Sequence, residues 1–270
     1  MSFNWINPND FSFNCILLMD RYLVRRICTQ SFGNHEEYQR HLGIALANNP
    51  AIKWYCKAKA PEVAETVDKL VSSAPSNCTA EEIKAAECFV LDRHDWAVVY
   101  MYPNVMNTNC PYIYEWDKQR LFELADFDGK IVLDVGSGTG RLAFAAAEKA
   151  KHVYASEPVD KLREFMREKI KREGIKNMTV LDGFVDCLPY EDSTFDIVMS
   201  AHVVGDNYET ELTELERVAK NGGWVLDCMG EDDRKKLLSD EMVKRGYEYL
   251  YYVSKLGGDV YRYRKQVIKG

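Results

Sequence analysis

The 270-residue chain has no apolar run long enough to cross a membrane. Its most hydrophobic N-terminal stretch, Cys15 to Met19, is broken at once by Asp20 and Arg21. That is too short for a span and has the wrong order for a signal peptide, so no membrane partner is expected. Positive charge is not in excess either. Lys and Arg number 35 against 42 Asp and Glu, a net charge of −7, and a nucleic-acid scaffold would need basic surface to hold phosphates. Paired cysteine spacing is missing. The cysteines (Cys15, Cys28, Cys56, Cys78, Cys88, Cys110, Cys187 and Cys228) are scattered with no C-x-x-C, which excludes a disulfide framework or a zinc ribbon. Reduced thiols in a cytoplasmic protein are the expectation. His35-Glu36-Glu37 with His41 lacks H-E-x-x-H spacing and reads as a solvated helix face, so no metal is expected. Finally, residues 1–115 contain no glycine-rich turn.

What is present begins at Lys130. Ile131, Val132, Leu133, Asp134 and Val135 form a short branched run suited to a buried strand. Gly136, Gly138 and Gly140 follow at alternate positions, and then RLAFAAAEKA, a segment of good helix formers. Strand, glycine turn and helix make a nucleotide-binding βα unit, with backbone a ligand can approach and free N–H groups at the helix start. Two frames fit the glycines. Gly138, Gly140 and Ala143 satisfy the dinucleotide pattern G-x-G-x-x-G/A; from Asp134 the same residues read D-x-G-x-G-x-G. A dinucleotide domain usually opens near its fingerprint, whereas here about half the chain comes first. The next strand, His152 to Ser156, ends at Glu157, an acid that either family uses to accept from ribose hydroxyls.

The downstream segments separate the two frames. The D-x-G-x-G-x-G form resembles motif I of the class I S-adenosylmethionine (SAM) dependent methyltransferases. LDGFVDCLPYEDSTFDIVMSA, Leu181 to Ala201, resembles that family's G-D-A-x-x-L-P-F-x-D-x-S-F-D-x-V stretch. ERVAKNGGWVLDC, Glu216 to Cys228, resembles the L-R-V-L-K-P-G-G helix–turn–strand that comes next, and the three motifs stand in family order.

The resemblance implies a cofactor, SAM, and a site. Gly136, Ser137, Gly138 and Gly140 would wrap its methionine part, with Asp134 facing backbone N–H groups or the cofactor ammonium. Glu157 would accept from the ribose, and Pro158 would lie near the adenine face. The family often has an acid where this chain has Phe184, so the adenine edge is left to the backbone of Phe184 and Val185, or to Asp186. Ala201 and His202 follow strand four at the open carboxyl edge, where ligands of such sheets bind. His202 is a candidate base or a cofactor contact. Tyr112, Tyr114 and Trp116 line a substrate pocket or pack the chain; both readings stay open.

The expected fold is α/β: a seven-stranded, mostly parallel Rossmann-like sheet ending in an antiparallel hairpin, plus a helical N-terminal domain (1–115) serving as lid over the carboxyl edge of residues 116–270. In the first domain Phe13, Ile16, Leu17, Leu23, Val24 and Ile27 recur at helical spacing. Asn34 opens a second helix to about Leu46, ended by Asn48-Asn49-Pro50. Pro61 begins a third, and Thr79 with Glu82 caps a fourth. Later helices are expected at Trp116–Ala125, Asp160–Glu173, Glu211–Lys220 and Glu231–Arg245, with the hairpin turn at Gly257-Gly258. The activity implied is methyl transfer to a small molecule, with a homodimer allowed. An NAD(P)-dependent oxidoreductase and a non-catalytic binding protein on the same fold are the alternatives.

Overall fold

A computed structural model describes residues 4–30, 34–113, 115–230, 237–254 and 258–270. The chain divides into two units, Met1–Asn109 and Cys110–Gly270.

The first unit is helical: α1 (Arg21–Thr29), α2 (His35–Asn48), α3 (Pro50–Lys59), α4 (Ala64–Ser72), α5 (Ala80–Arg93), α6 (Asp95–Met101) and α7 (Pro103–Asn109). The capping box is present, with Glu82 N–H donating to Thr79 Oγ1 (3.2 Å) and Thr79 N–H donating to the Glu82 carboxylate (2.8 Å). Asn34 Oδ1 caps α2 by accepting from the Glu36 and Glu37 amides. Three features go beyond the sequence patterns. The first apolar run is not one helix: a 3-10 segment covers Phe13–Leu18, and extended backbone at Asp20 separates it from α1. α2 ends at Asn48 as expected, and Pro50 also opens a further helix, α3, because a proline at the first helical position gives up an N–H that would have no partner there. The tyrosine- and asparagine-rich stretch from Tyr100 is largely helical, with Pro103 opening α7.

The second unit carries α8 (Gln119–Phe122), β1 (Ile131–Val135), α9 (Arg141–Ala146), β2 (His152–Ser156), α10 (Asp160–Glu173), β3 (Met178–Leu181), β4 (Phe195–Ser200), α11 (Tyr208–Val218), β5 (Ala219–Cys228), α12 (Asp240–Lys244), β6 (Glu248–Val253) and β7 (Asp259–Gln266). The seven strands run in the order β3-β2-β1-β4-β5-β7-β6. β1 to β5 pair in parallel, while β7 is antiparallel to both neighbours. This is the expected sheet. Both faces are covered, which is why β1 reads as a continuous apolar run. Val132 enters one core with Leu142, Val153 and Met199, and Leu133 and Val135 enter the other with Leu212, Leu215 and Tyr263.

Two elements are shorter than expected. α8 has a single turn in place of Trp116–Ala125. Of the helix expected over Glu231–Arg245, α12 covers Asp240–Lys244, where Ser239 Oγ caps Met242 N–H, and residues 231–236 lie outside the described residues. The hairpin closes through Ser254 N–H to the Gly258 carbonyl (2.8 Å); Gly257 also lies outside the described residues. Among the described residues no helix is long and apolar enough to cross a membrane. The order 2-1-4 reverses the sense in which successive strands are laid down between β1 and β4, the point at which sheets of this kind open a crevice outside the carboxyl ends.

Candidate active site at the carboxyl edge

The glycine turn between β1 and α9 forms the floor of that crevice. Gly136 (φ +65°) and Gly140 (φ +92°) are both left-handed, a conformation side-chain-bearing residues avoid. A Cβ at Gly136 would also collide with Val203 Cγ2, and one at Gly140 with the Phe144 ring. The turn is tied to the end of β2. Gly136 and Ser137 N–H both donate to the Ser156 carbonyl (2.8 and 3.1 Å).

Glu157 completes that tie. It is buried, with Oε2 accepting from Gly138 N–H (2.8 Å) and Oε1 accepting from Val159 N–H (2.9 Å). The acid expected to meet ribose therefore also supports the glycine turn. Each carboxylate oxygen can accept more than one hydrogen bond. Half-buried Pro158 lies between Glu157 and buried Val159.

Asp134 closes β1 and is 2% exposed. Burial pushes its carboxyl up to about 7, against the opposing pull of the Ser137 hydroxyl, the Arg141 guanidinium and the Ala143 N–H. Its Oδ2 has no hydrogen-bond partner. A buried carboxylate oxygen left this way is costly. An ammonium beside the turn would satisfy it.

Gly183 packs so closely on Ser156 that a Cβ would meet Ser156 Oγ. This holds the segment carrying Phe184 and Val185 against the end of β2. Phe184 is 43% exposed and its carbonyl accepts from Cys187 N–H (3.1 Å), while Val185 packs into the core beside α11. The Phe184 side chain is thus partly exposed, and its backbone oxygen is already engaged. Asp186 is exposed.

On the β4 side, Ala201 packs on the core and His202 is left-handed (φ +58°). His202 Nε2 accepts from Gly230 N–H (3.0 Å). A backbone N–H can only donate, so a neutral ring carries its proton on Nδ1. The Tyr112 ring lies 5.2 Å from the imidazole and covers Gly230. Trp116 packs on the core, with the Arg141 guanidinium 4.6 Å over its ring. Tyr114 lies outside the described residues.

The pattern of the sequence did not reveal three further groups. Arg141 donates to the Cys228 carbonyl at the end of β5 and sits between Trp116 and Asp134. Buried Ser200 Oγ donates to the Asp227 carboxylate (3.2 Å) across β4 and β5. Glu211, on α11, is buried and accepts from two loop amides. The only advance signal was a polar residue in an apolar run, as with Ser200 and Asp227. Among the described residues no group of three or more His, Cys, Asp and Glu could hold a metal ion.

The fold and the turn define the class, a Rossmann-like α/β domain with an adenosine-type cofactor crevice. Residues 132–223 match the family model described as a methyltransferase domain. The demethylmenaquinone methyltransferase of Anoxybacillus flavithermus is 31% identical over 142 residues, 51% of this chain and 56% of that one. The enzyme of that name from Lactococcus lactis is 30% identical over 116 residues (41% and 46%), and an uncharacterized methyltransferase of Schizosaccharomyces pombe is 36% identical over 128 residues (44% and 44%). The chain thus spans about half the length of the curated relatives it matches. A SAM-dependent methyltransferase structure from Aquifex aeolicus superposes with a TM-score of 0.49 at 19% identity, over 62% of this chain and 98% of that one. Residues 132–223 are a class I SAM-dependent methyltransferase domain. SAM is the cofactor of that class, and the orphaned Asp134 oxygen, the left-handed turn and Glu157 fit it.

Proposed function

We propose that this chain transfers the methyl group of SAM to a small-molecule acceptor. The observation that carries the reading is the glycine turn held by Glu157 above a buried carboxylate with one unpaired oxygen. Asp134 would hold the cofactor ammonium and Glu157 the ribose hydroxyls, while the exposed side chain of Phe184 would pack on adenine. When bound, SAM supplies a methyl group already made electrophilic by its sulfonium. The protein's share is to align the acceptor and keep water out.

His202 is assigned as a wall of this site. To act as a base through Nε2 it would first have to release the Gly230 amide. Tyr112, tilted against His202, belongs to the same wall. Trp116 acts through Arg141, whose remaining N–H groups suit an anionic group of cofactor or acceptor.

The demethylmenaquinone enzymes among the relatives support a small organic acceptor. The helical unit contains none of the three cofactor motifs, which supports giving it acceptor selection. Location in the cytoplasm is supported by the acidic composition and by eight cysteines that form no disulfide. Incubation of the full chain with methyl-labelled SAM and a metabolite extract is the test. Label appearing in a small-molecule fraction is expected. Tight S-adenosylhomocysteine binding with no labelled product from any extract would favour a non-catalytic binding protein.

A further inference from the structure

The loop between β4 and α11, residues 201–207, is the strained part of the acceptor side. His202 sits at φ +58° and Gly205 at φ +143°. A residue with a side chain keeps left-handed backbone only where its surroundings over-determine it, and such residues gather at functional sites. Two attachments bear on the front of this loop. His202 Nε2 accepts from Gly230 N–H, and Val203 seats so tightly on Gly136 that no Cβ fits between them.

The third attachment comes from behind. Glu211, in the first turns of α11, is 4% exposed. Its Oε2 accepts from Gly205 N–H (2.7 Å) and its Oε1 from Asn207 N–H (3.0 Å). An acid reaching back to Asn207 N–H resembles an ordinary helix cap. Yet α11 already has one, because Asn207 Oδ1 accepts from Thr210 N–H (3.3 Å). Gly205 lies two residues outside the cap, within the loop itself. Both carboxylate oxygens are therefore committed to loop amides, one of them beyond anything the helix requires.

We propose that Glu211 is a positioning residue: it tethers the loop so that His202 stays left-handed on Gly230 and Val203 stays seated on the glycine turn. It touches neither cofactor nor acceptor and acts through His202 and Val203. The functional weight of the tether rests on the methyltransferase reading; its existence does not.

The test uses the full chain with Glu211→Gln, which keeps the shape and replaces one accepting oxygen by a donor. Amide exchange at Gly205 and Asn207 and the imidazole ¹⁵N resonances of His202 are read without cofactor, and S-adenosylhomocysteine affinity is read by calorimetry. Exchange at Gly205 should rise roughly tenfold or more as the local structure opens. The His202 resonances should move toward those of a ring released from its backbone donor, and affinity should fall several-fold. Faster exchange with unchanged His202 resonances and unchanged affinity would reduce Glu211 to a helix cap and overturn the proposal. His202→Gly supplies the second arm, since glycine adopts φ +58° without strain. Glu211→Gln should cost less affinity in that background than in the natural one, and equal losses would overturn the tether. If Glu211→Gln alone does not fold, restored folding in the double variant supports the tether and continued misfolding overturns it. Should the natural protein not bind S-adenosylhomocysteine, the methyltransferase reading fails, and the His202 resonances still decide the tether.

Discussion

At the ends of β1 and β2 the crevice is built from backbone: two N–H groups on the Ser156 carbonyl and a third on Glu157, all contributed by residues 136–138 and 156–157. At the ends of β4 and β5 side chains do the same work, all but the first across longer separations: Glu211 on Gly205, His202 on Gly230, Ser200 on Asp227 and Tyr112 on His202. The first arrangement is encoded in a few adjacent residues whose identities the backbone dictates. The second depends on where tertiary folding brings single side chains. A fixed cofactor suits the first and a variable acceptor suits the second, so substitutions should separate the two sides by size and by kind of effect.

The largest loss belongs to the backbone side. Gly136→Ala adds a Cβ where φ is +65° and Val203 already fills the space. Left-handed strain of about 1–2 kcal/mol and overpacking of about 1–3 kcal/mol should together lower S-adenosylhomocysteine affinity by roughly a hundredfold or unfold the domain. Calorimetry with circular dichroism distinguishes these two results, and near-natural affinity would break the comparison.

Glu157→Ala comes next. Losing a hydrogen bond to a charged acceptor costs about 1.5–3 kcal/mol, so affinity should fall roughly tenfold to a hundredfold. No change would make Glu157 a strand end only.

Asp134 gives a pH signature. Its carboxyl is raised to about 7 in the folded protein, chiefly by burial. A raised carboxyl contributes stability below its unfolded value that is lost as pH rises through 7. The cofactor-free protein should therefore lose thermal stability relative to Asp134→Asn as pH rises from about 4 to 7, with little further loss above that. An ammonium prefers the ionised form, so affinity should weaken as pH drops below 7, by up to about tenfold per unit. Asp134→Asn should flatten that slope; an unflattened slope would remove Asp134 from the cofactor.

The smallest expected effect is on the side-chain side. His202→Ala loses a neutral hydrogen bond worth about 0.5–1.5 kcal/mol, so affinity and rate should fall together by about two- to tenfold. The pH profile of the rate should keep its shape. An isolated rate loss of about a hundredfold with a vanished acidic limb would make His202 the base.

This contrast also explains what could be read from the sequence. The apolar run 131–135, the glycines and the Thr79–Glu82 box were legible because the local residue types dictate the local backbone. Asn48-Asn49-Pro50 marked the end of α2, but α3 was not legible because a proline ends one helix as readily as it begins another, and only the structure shows α3 starting there. Arg141 was legible as a helix former, but its place between Trp116 and the Cys228 carbonyl depends on groups 25 residues before and 87 after it. Glu211 read as one more acid on a polar helix, since nothing local foretells that it is buried. Phe184 was correctly seen as a departure from the family pattern, and its exposure follows from the turn that commits its carbonyl to Cys187.

The central claim is that the crevice at β1 and β2 belongs to SAM and not to a dinucleotide. Isothermal titration of the full chain against S-adenosylhomocysteine, NADH and NADPH tests it most directly. Micromolar-range binding of S-adenosylhomocysteine with negligible heat from either dinucleotide is the predicted result. Dinucleotide binding tighter than S-adenosylhomocysteine binding would contradict it.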